Sequence, residues 1–272
     1  MRHQPGMQLA AMAIKPPSLN GGQRVSPPEA HAPETLTWSQ AVSMIEPHVV
    51  RVSTTRGQGT GFLVSICGDL CAIATAAHVV DHAHYWEEPI RIDHVSSGKT
   101  RLVRFAERAL FLDPVHDTAA FLIARGDIMF PEFALPLAPK DMFLRVGNDI
   151  GWLGFPAVEA TRVCFFGGRV SAWNPNAKAY LVDGVAINGV SGGPAFHLAN
   201  PQPTIMGVVS AYMPNRATGE VLPGLSVVRD VTQFHELAPT FESISQAKAQ
   251  ESPATPPSPT PAEQTDKVET RR

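Results

Sequence analysis

From about residue 35 to residue 246 the sequence runs as short apolar segments broken again and again by Gly, Pro, Asn and Asp. That punctuation restricts the fold more than any other feature. An amphipathic helix needs an apolar stripe sustained over roughly ten residues, whereas a strand needs only alternation over about five. Val50 and Val52 alternate with Arg51 and Ser53; Phe62, Val64 and Ile66 alternate with Leu63 and Ser65; Val103 and Phe105 flank Arg104. These segments read as half-buried strands. Ala119 to Ile123 and Ile205 to Val209 are apolar throughout, as expected of strands packed inside a barrel. Only two stretches read as helical: about Trp38 to Ile45 after a Thr35 or Thr37 cap, and about Val231 to Leu237 after Asp230. No repeat of fixed period and no alternation of strands with helices is present, so the expected class is all-β.

Prolines crowd both ends, and the segments 1–34 and 247–272 read as tails that cannot offset the entropy of ordering. The run from Pro256 to Pro261 offers a polyproline II ligand for a partner protein, or is simply a solvated tail. Composition argues for an ordinary globular core: 272 residues, 22 Lys+Arg against 25 Asp+Glu, a net charge of −3 and 44% hydrophobic residues. So balanced a charge gives no reason to expect nucleic acid or an anionic membrane as a partner. The longest mostly apolar run, Cys71 to Val80, contains Thr75 and His78 and is far shorter than the roughly 18 residues of a membrane span. Cys67, Cys71 and Cys164 are an odd number of cysteines, read as reduced thiols, with a Cys67–Cys71 bridge across a hairpin as the alternative. Met7 to Ile14 makes only a short signal-like core, interrupted by Gln8 and followed by Pro16 and Pro17, so a cytoplasmic location is expected.

A serine nucleophile needs small neighbours, so that a substrate carbonyl can approach while two backbone N–H groups face the developing oxyanion. The segment from Asp183 to Pro194, DGVAINGVSGGP, sets Ser191 in such surroundings, with the N–H groups of Gly189 and Ser191 placed to serve. A plain glycine turn is the other reading of these residues. A serine hydroxyl also needs a base. Of the ten histidines, His78 closes an apolar segment, in the sequence TAAH from Thr75, with small residues leaving its ring room. A carboxylate must then orient the imidazole, and Asp117 stands just before the apolar run beginning at Ala119.

Taken in the order His78, Asp117, Ser191, these segments resemble the trypsin/chymotrypsin-like serine proteases. The resemblance points to the bacterial HtrA/Deg branch through GTGFLV (Gly59–Val64), LRVGNDIGWLGFP (Leu144–Pro156), GRVS (Gly168–Ser171), GVVSA (Gly207–Ala211) and GLSVV (Gly224–Val228), and covers about residues 38–240. It implies two packed six-stranded antiparallel β-barrels, divided near residues 135–145, with a short helix at each end and the reacting groups in the cleft between the barrels. It implies an endopeptidase acting on protein or peptide substrates without a cofactor. Ser191 would be the nucleophile, His78 the general base and then acid, and Asp117 the orienting carboxylate. Gly189 and Ser191 would form the oxyanion hole, and Ser210 would hydrogen-bond Asp117. The strand of Ser210 would pair with the substrate backbone, Val185 would form the floor of the specificity pocket and Tyr212 and Gly224 its walls, and Asn188 and Ala211 would also bind substrate.

The departures from the family pattern carry information too. Val190 stands where the digestive enzymes have an acid that pairs with a newly cut N-terminus, which excludes that route of activation. Asn188 to Ser191 is one residue tighter than the loop of the HtrA-like branch, no PDZ domain is expected after residue 246, and Val79 replaces the cysteine that follows the histidine in disulfide-bearing members. Val185 offers no carboxylate to a basic side chain, so a small or medium aliphatic residue before the scissile bond is expected; Asp183 is the residue that would overturn this. Asp81, His82 and His84 read as a surface loop or short turn, not a metal site, and Gly57 to Gly61 as a turn leading into a strand, not a phosphate loop. Two other functions fit the same residues: a catalytically silent peptide-binding module on this fold, and an esterase or acyl transferase using the same chemistry.

Overall fold

The computed structural model describes residues 36–199, 201–214 and 221–251. The signal-like segment at Met7–Ile14, the N-terminal tail and the proline run at Pro256–Pro261 lie outside the described residues. Helix α1 (Trp38–Ile45) begins at Thr37, which forms a capping box with Gln40: Gln40 N donates to Thr37 Oγ1 at 3.3 Å and Thr37 N to Gln40 Oε1 at 2.9 Å. Its buried Ala41 and Ile45 dock the helix against the body.

Strands β1 (Val49–Thr54), β2 (Gly57–Cys67), β3 (Leu70–Thr75), β4 (Ile90–His94), β5 (Lys99–Val103), β6 (Arg108–Asp113) and β7 (Thr118–Ala124) form one antiparallel sheet in the order β5-β4-β1-β2-β3-β7-β6. Strands β8 (Asp149–Gly154), β9 (Cys164–Asn174), β10 (Ala179–Asp183), β11 (Pro194–His197), β12 (Thr204–Pro214) and β13 (Val221–Asp230) close into a six-stranded barrel, in the order β10-β13-β12-β11-β8-β9. The all-β expectation therefore holds, and of the two expected six-stranded barrels the second closes while the first is a half-barrel sheet. The first unit has seven strands, and its edges β5 and β6 meet through the turn at Phe105–Glu107 and not through a ladder. Arg108 spans that seam, donating to Val103 O at 3.1 Å and, from its other Nη, to Ala83 O at 2.9 Å and Glu88 O at 2.8 Å. The same turn ends the strand at Val103, so Phe105 does not continue the alternation read from the sequence.

Strands β2, β3 and β7 are covered on both faces. Phe62, Val64, Ala72, Ala74, Ala120 and Leu122 belong to a core shared with the second barrel, while Leu63, Cys71, Ile73, Phe121 and Ile123 face a separate core within the first. Leu63, expected on an open face, is fully buried for this reason. The second of these cores is lined by α2 (Ala77–Tyr85), which buries Ala77, Val79, Val80 and Ala83. Asp81, His82 and His84 thus lie on a helix, correcting the loop reading: Ala77, Val79 and Val80 before them and Ala83 among them supply the buried stripe. Helix α3 (Thr232–Glu251) is much longer than the segment read from the sequence and continues through Pro239. An interior proline costs a helix about 3 kcal/mol. Here the far half is held by tertiary contacts, Phe241 edge-on to Phe111 at 5.4 Å and Ser245 Oγ donating to Cys67 O at 2.7 Å. Cys67, Cys71 and Cys164 are free, and burial pushes the Cys71 thiol up to about 12.

Candidate active site

His78 is the second residue of α2, one of the helix-start positions whose N–H has no partner within the helix. Asp117 supplies one, its Oδ1 accepting from His78 N at 3.0 Å, and the same carboxylate lies 2.9 Å (Oδ2) and 3.0 Å (Oδ1) from His78 Nδ1. Asp117 adopts a left-handed φ of 51°, a conformation aspartate tolerates better than most residues, in the turn between β6 and β7. From β12 of the second barrel, Ser210 Oγ donates to Asp117 Oδ2 at 2.6 Å. Burial raises the Asp117 carboxyl, but the hydrogen bonds from His78 and Ser210 and the His78 charge outweigh it, leaving the group below the usual carboxylate range. The same hydrogen bond, accepted by Asp117, is the largest influence on His78 and holds the imidazole above its ordinary value against the opposing effect of burial.

Ser191 sits across from this pair, on the loop between β10 and β11. Its Oγ donates to Ser210 O at 3.3 Å, and no hydrogen bond joins it to His78 among the described residues. His78, Gly189 and Ser191 nonetheless line one groove of about 430 Å³, with Arg56, Gln58 and Asn188 further along it. The loop is pinned from three directions. Asn188 O accepts from Ala157 N at 2.7 Å, which turns the Gly189 N–H of the same planar peptide to the opposite side. Thr60 Oγ1 donates to Gly189 O at 2.8 Å and accepts from Phe155 N at 3.0 Å, and Ser191 O accepts from Thr60 N at 2.7 Å. Val190 is fully buried in the shared core, so the residue that cannot make the activating salt bridge of the digestive enzymes anchors the loop by packing. Neither Gly189 N nor Ser191 N donates a backbone hydrogen bond among the described residues. Gly189 has φ 95°, and a Cβ there would lie 2.3 Å from Phe155 O, so only glycine fits.

Residues 59–201, more than half of the chain, match a family model described as a trypsin-like peptidase domain. The chain belongs to the trypsin-like peptidase family. Solved structures agree in fold. A serine endoprotease from Yersinia pestis aligns with a TM-score of 0.57 at 21% identity, over 76% of this chain and 67% of that one. The Rv3671c protease from Mycobacterium tuberculosis, as a serine-to-alanine variant in an inactive form, aligns with a TM-score of 0.52 at 20% identity, over 79% and 93% of the two chains. The same protease in another inactive-form structure gives 0.51 at 21% identity, over 76% and 91%. No curated protein matches the chain.

The positions read as substrate-binding in this trypsin-like peptidase are less uniform than the His78, Asp117, Ser210 cluster. Val185 is half exposed, and Asn188 is exposed with its carbonyl tied to Ala157. Gly224, at φ 84°, accepts from Gly184 N at 2.7 Å, and Asp183 Oδ1 lies 3.9 Å from the point where a Cβ on Gly224 would stand. Ala211 and Tyr212 pair with Val227 and Ser226 of β13 through the backbone. Sequence reasoning missed Thr60, Thr75 and Ala157. Thr75 Oγ1 donates to Thr60 O at 2.7 Å, completing a chain of bonds from β3 through β2 to the Ser191 loop. The trace Thr60 leaves in the sequence is a small polar residue between Gly59 and Gly61, which marks a turn just as well, and Thr75 and Ala157 leave none.

Proposed function

We propose that the protein is a serine endopeptidase in which Ser191, His78 and Asp117 act together. The observation that carries this reading is the Asp117 carboxylate, held at once by the His78 ring, the His78 backbone and Ser210 of the other barrel. So held, it fixes the imidazole with its Nδ1 proton toward Asp117 and Nε2 free as a base. Ser191 Oγ attacks the scissile carbonyl as its proton passes to His78 Nε2, and the oxyanion is received by the N–H groups of Gly189 and Ser191. Collapse of the intermediate breaks the C–N bond, and His78 returns the proton to the leaving amine. Water then attacks the acyl-enzyme, giving its proton to His78, and the ester bond breaks to restore Ser191. The bond from Asn188 O to Ala157 N supports an oxyanion hole formed at rest, and the chain supplies every acid, base and nucleophile the sequence of steps requires. Substrates with a small or medium aliphatic residue before the scissile bond fit the apolar Val185. Asp183, near Gly224, is the group that would favour a basic residue instead, and a peptide panel with Asp183→Asn beside the wild type separates the two.

Labelling of the full chain with a fluorophosphonate probe, followed by peptide mapping, tests the reading. Wild type should be modified at Ser191 alone, Ser191→Ala not at all, and His78→Ala slower by a factor on the order of 10⁴ or more. A folded wild type that binds peptides yet resists the probe would instead favour the silent binding module, a reading the Ser191 Oγ bond to Ser210 O also suits.

A further inference from the structure

The 430 Å³ groove beside Ser191 is asymmetric. Its walls are the β1–β2 turn, the start of α2, Ala157 and the Asn188–Ser191 loop, and Ser210 of β12 is not among them. If β12 runs beside the acyl half of a substrate, the groove takes the leaving half. Among the described residues no carboxylate lines it. Arg56 is its fixed positive charge.

Arg56 is also held in an unusual way for an exposed arginine. Its Nε donates to His82 Nε2 at 3.0 Å, which places the ring proton of His82 on Nδ1, 3.3 Å from Glu88 Oε2 in an ion-pair contact that lacks hydrogen-bond geometry. Glu88 in turn accepts from Thr55 Oγ1, the residue next to Arg56. Trp86 stacks on the His82 ring at 6.1 Å and 30°. This relay fixes one edge of the guanidinium. Neither Nη has a hydrogen-bond partner among the described residues. Glu88 acts on Arg56 through its charge, but its hydrogen bond is from Thr55 and its ion-pair contact is with His82. What is left open toward the groove is a two-pronged donor of the kind that grips a carboxylate in bidentate fashion.

We infer that Arg56 is a specificity residue that selects substrates with an acidic side chain within the first few positions after the scissile bond. The inference rests on the endopeptidase reading for its orientation, and the test separates the two. Peptides differing only at those positions, with Asp or Glu, Asn or Gln, or Lys, are titrated by fluorescence anisotropy into the full-length Ser191→Ala protein, which binds without turnover. Acidic peptides should bind about tenfold tighter than their amide counterparts, a preference that weakens with salt. Arg56→Gln should abolish the difference and Arg56→Glu should transfer it to the lysine peptides, while His82→Ala, leaving the guanidinium in place but unheld, should reduce it and Thr55→Ala should do so less. Equal affinities across the panel, no binding of any peptide, or an acidic preference that survives Arg56→Glu would each overturn the inference. Charge-selective binding in a wild-type protein that the fluorophosphonate probe does not label would sink the endopeptidase reading alone. Efficient labelling and turnover without charge selection would sink this inference alone.

Discussion

Asp117 concentrates most of what the site can do. Its left-handed φ aims one carboxylate at the first turn of α2 and at the imidazole of His78, and the bond from Ser210 prevents it from rotating away. The electrostatic result is a His78 more basic than an ordinary histidine, whose reference value is 6.5. Under the proposed function the neutral form is the working base, so kcat/KM should rise with pH through a midpoint above 6.5. In Asp117→Asn the opposing effect of burial is no longer outweighed, so the residual activity, strongly reduced, should show its midpoint moved down in pH. A midpoint unchanged by the substitution would remove Asp117 from the role given to it. The same contacts affect stability with opposite signs. Asp117, held below its ordinary 3.8, stabilises the fold above that pH, and the contribution fades as pH falls through its folded value. Protonated His78 stabilises the fold below 6.5, and that contribution is lost as pH rises through its raised value.

At the scale of elements, the Ser191 loop is shaped by β2 and the end of β8 together with its own glycines. Thr60 is wholly buried and joins the two barrels with one hydroxyl, donating to Gly189 O and accepting from Phe155 N. Thr60→Val keeps the shape and removes both bonds, leaving a buried carbonyl and a buried N–H unpaired at a cost of about 1–3 kcal/mol each. A lower denaturation midpoint together with a fall in kcat of about tenfold is expected, with KM for small ester substrates little changed and Thr60→Ser restoring both. Loss of stability with kcat intact would mean that the loop keeps its shape without the threonine. The Arg56, His82, Glu88 group belongs to the same scale: α2 places His78 at its start and the support for Arg56 one turn later.

Across the whole molecule, α3 ties the end of the second barrel back onto the first. Phe234 meets Phe62 edge-on at 6.4 Å, Phe241 meets Phe111 at 5.4 Å, and both helix residues are buried in the core that the two barrels share. Since Asp117 comes from one barrel and Ser210 and Ser191 from the other, the site depends on how that shared core sets one barrel against the other. Phe241→Ala should cost about 3–5 kcal/mol of unfolding free energy, read as a fall in the urea midpoint. It should also slow probe labelling at temperatures where the protein is still folded. A loss below about 1 kcal/mol would mean that the helix end beyond Pro239 contributes little to holding the barrels together.

His78 and Ser191 among small residues, Asp117 just before an apolar run, and the strand punctuation between them were legible because they are local properties. Chemistry demands those residue types, and turns demand glycine, proline and asparagine wherever the chain reverses. Helix α1 was legible for the same reason, its Thr37 cap and Gln40 being three residues apart. Helix α2 was not: its buried stripe is of alanines and valines that suit a strand equally well, and only the sheet beneath decides between them. The far half of α3 was illegible because Pro239 argues locally for a stop, and contacts with residues more than a hundred positions away argue against it. Thr60 looked like part of a turn, and Val190 like a defect in an activation mechanism. Tertiary structure made the first a bridge between barrels and the second an anchor, since a hydrogen bond or a packing contact exists only once distant segments are brought together.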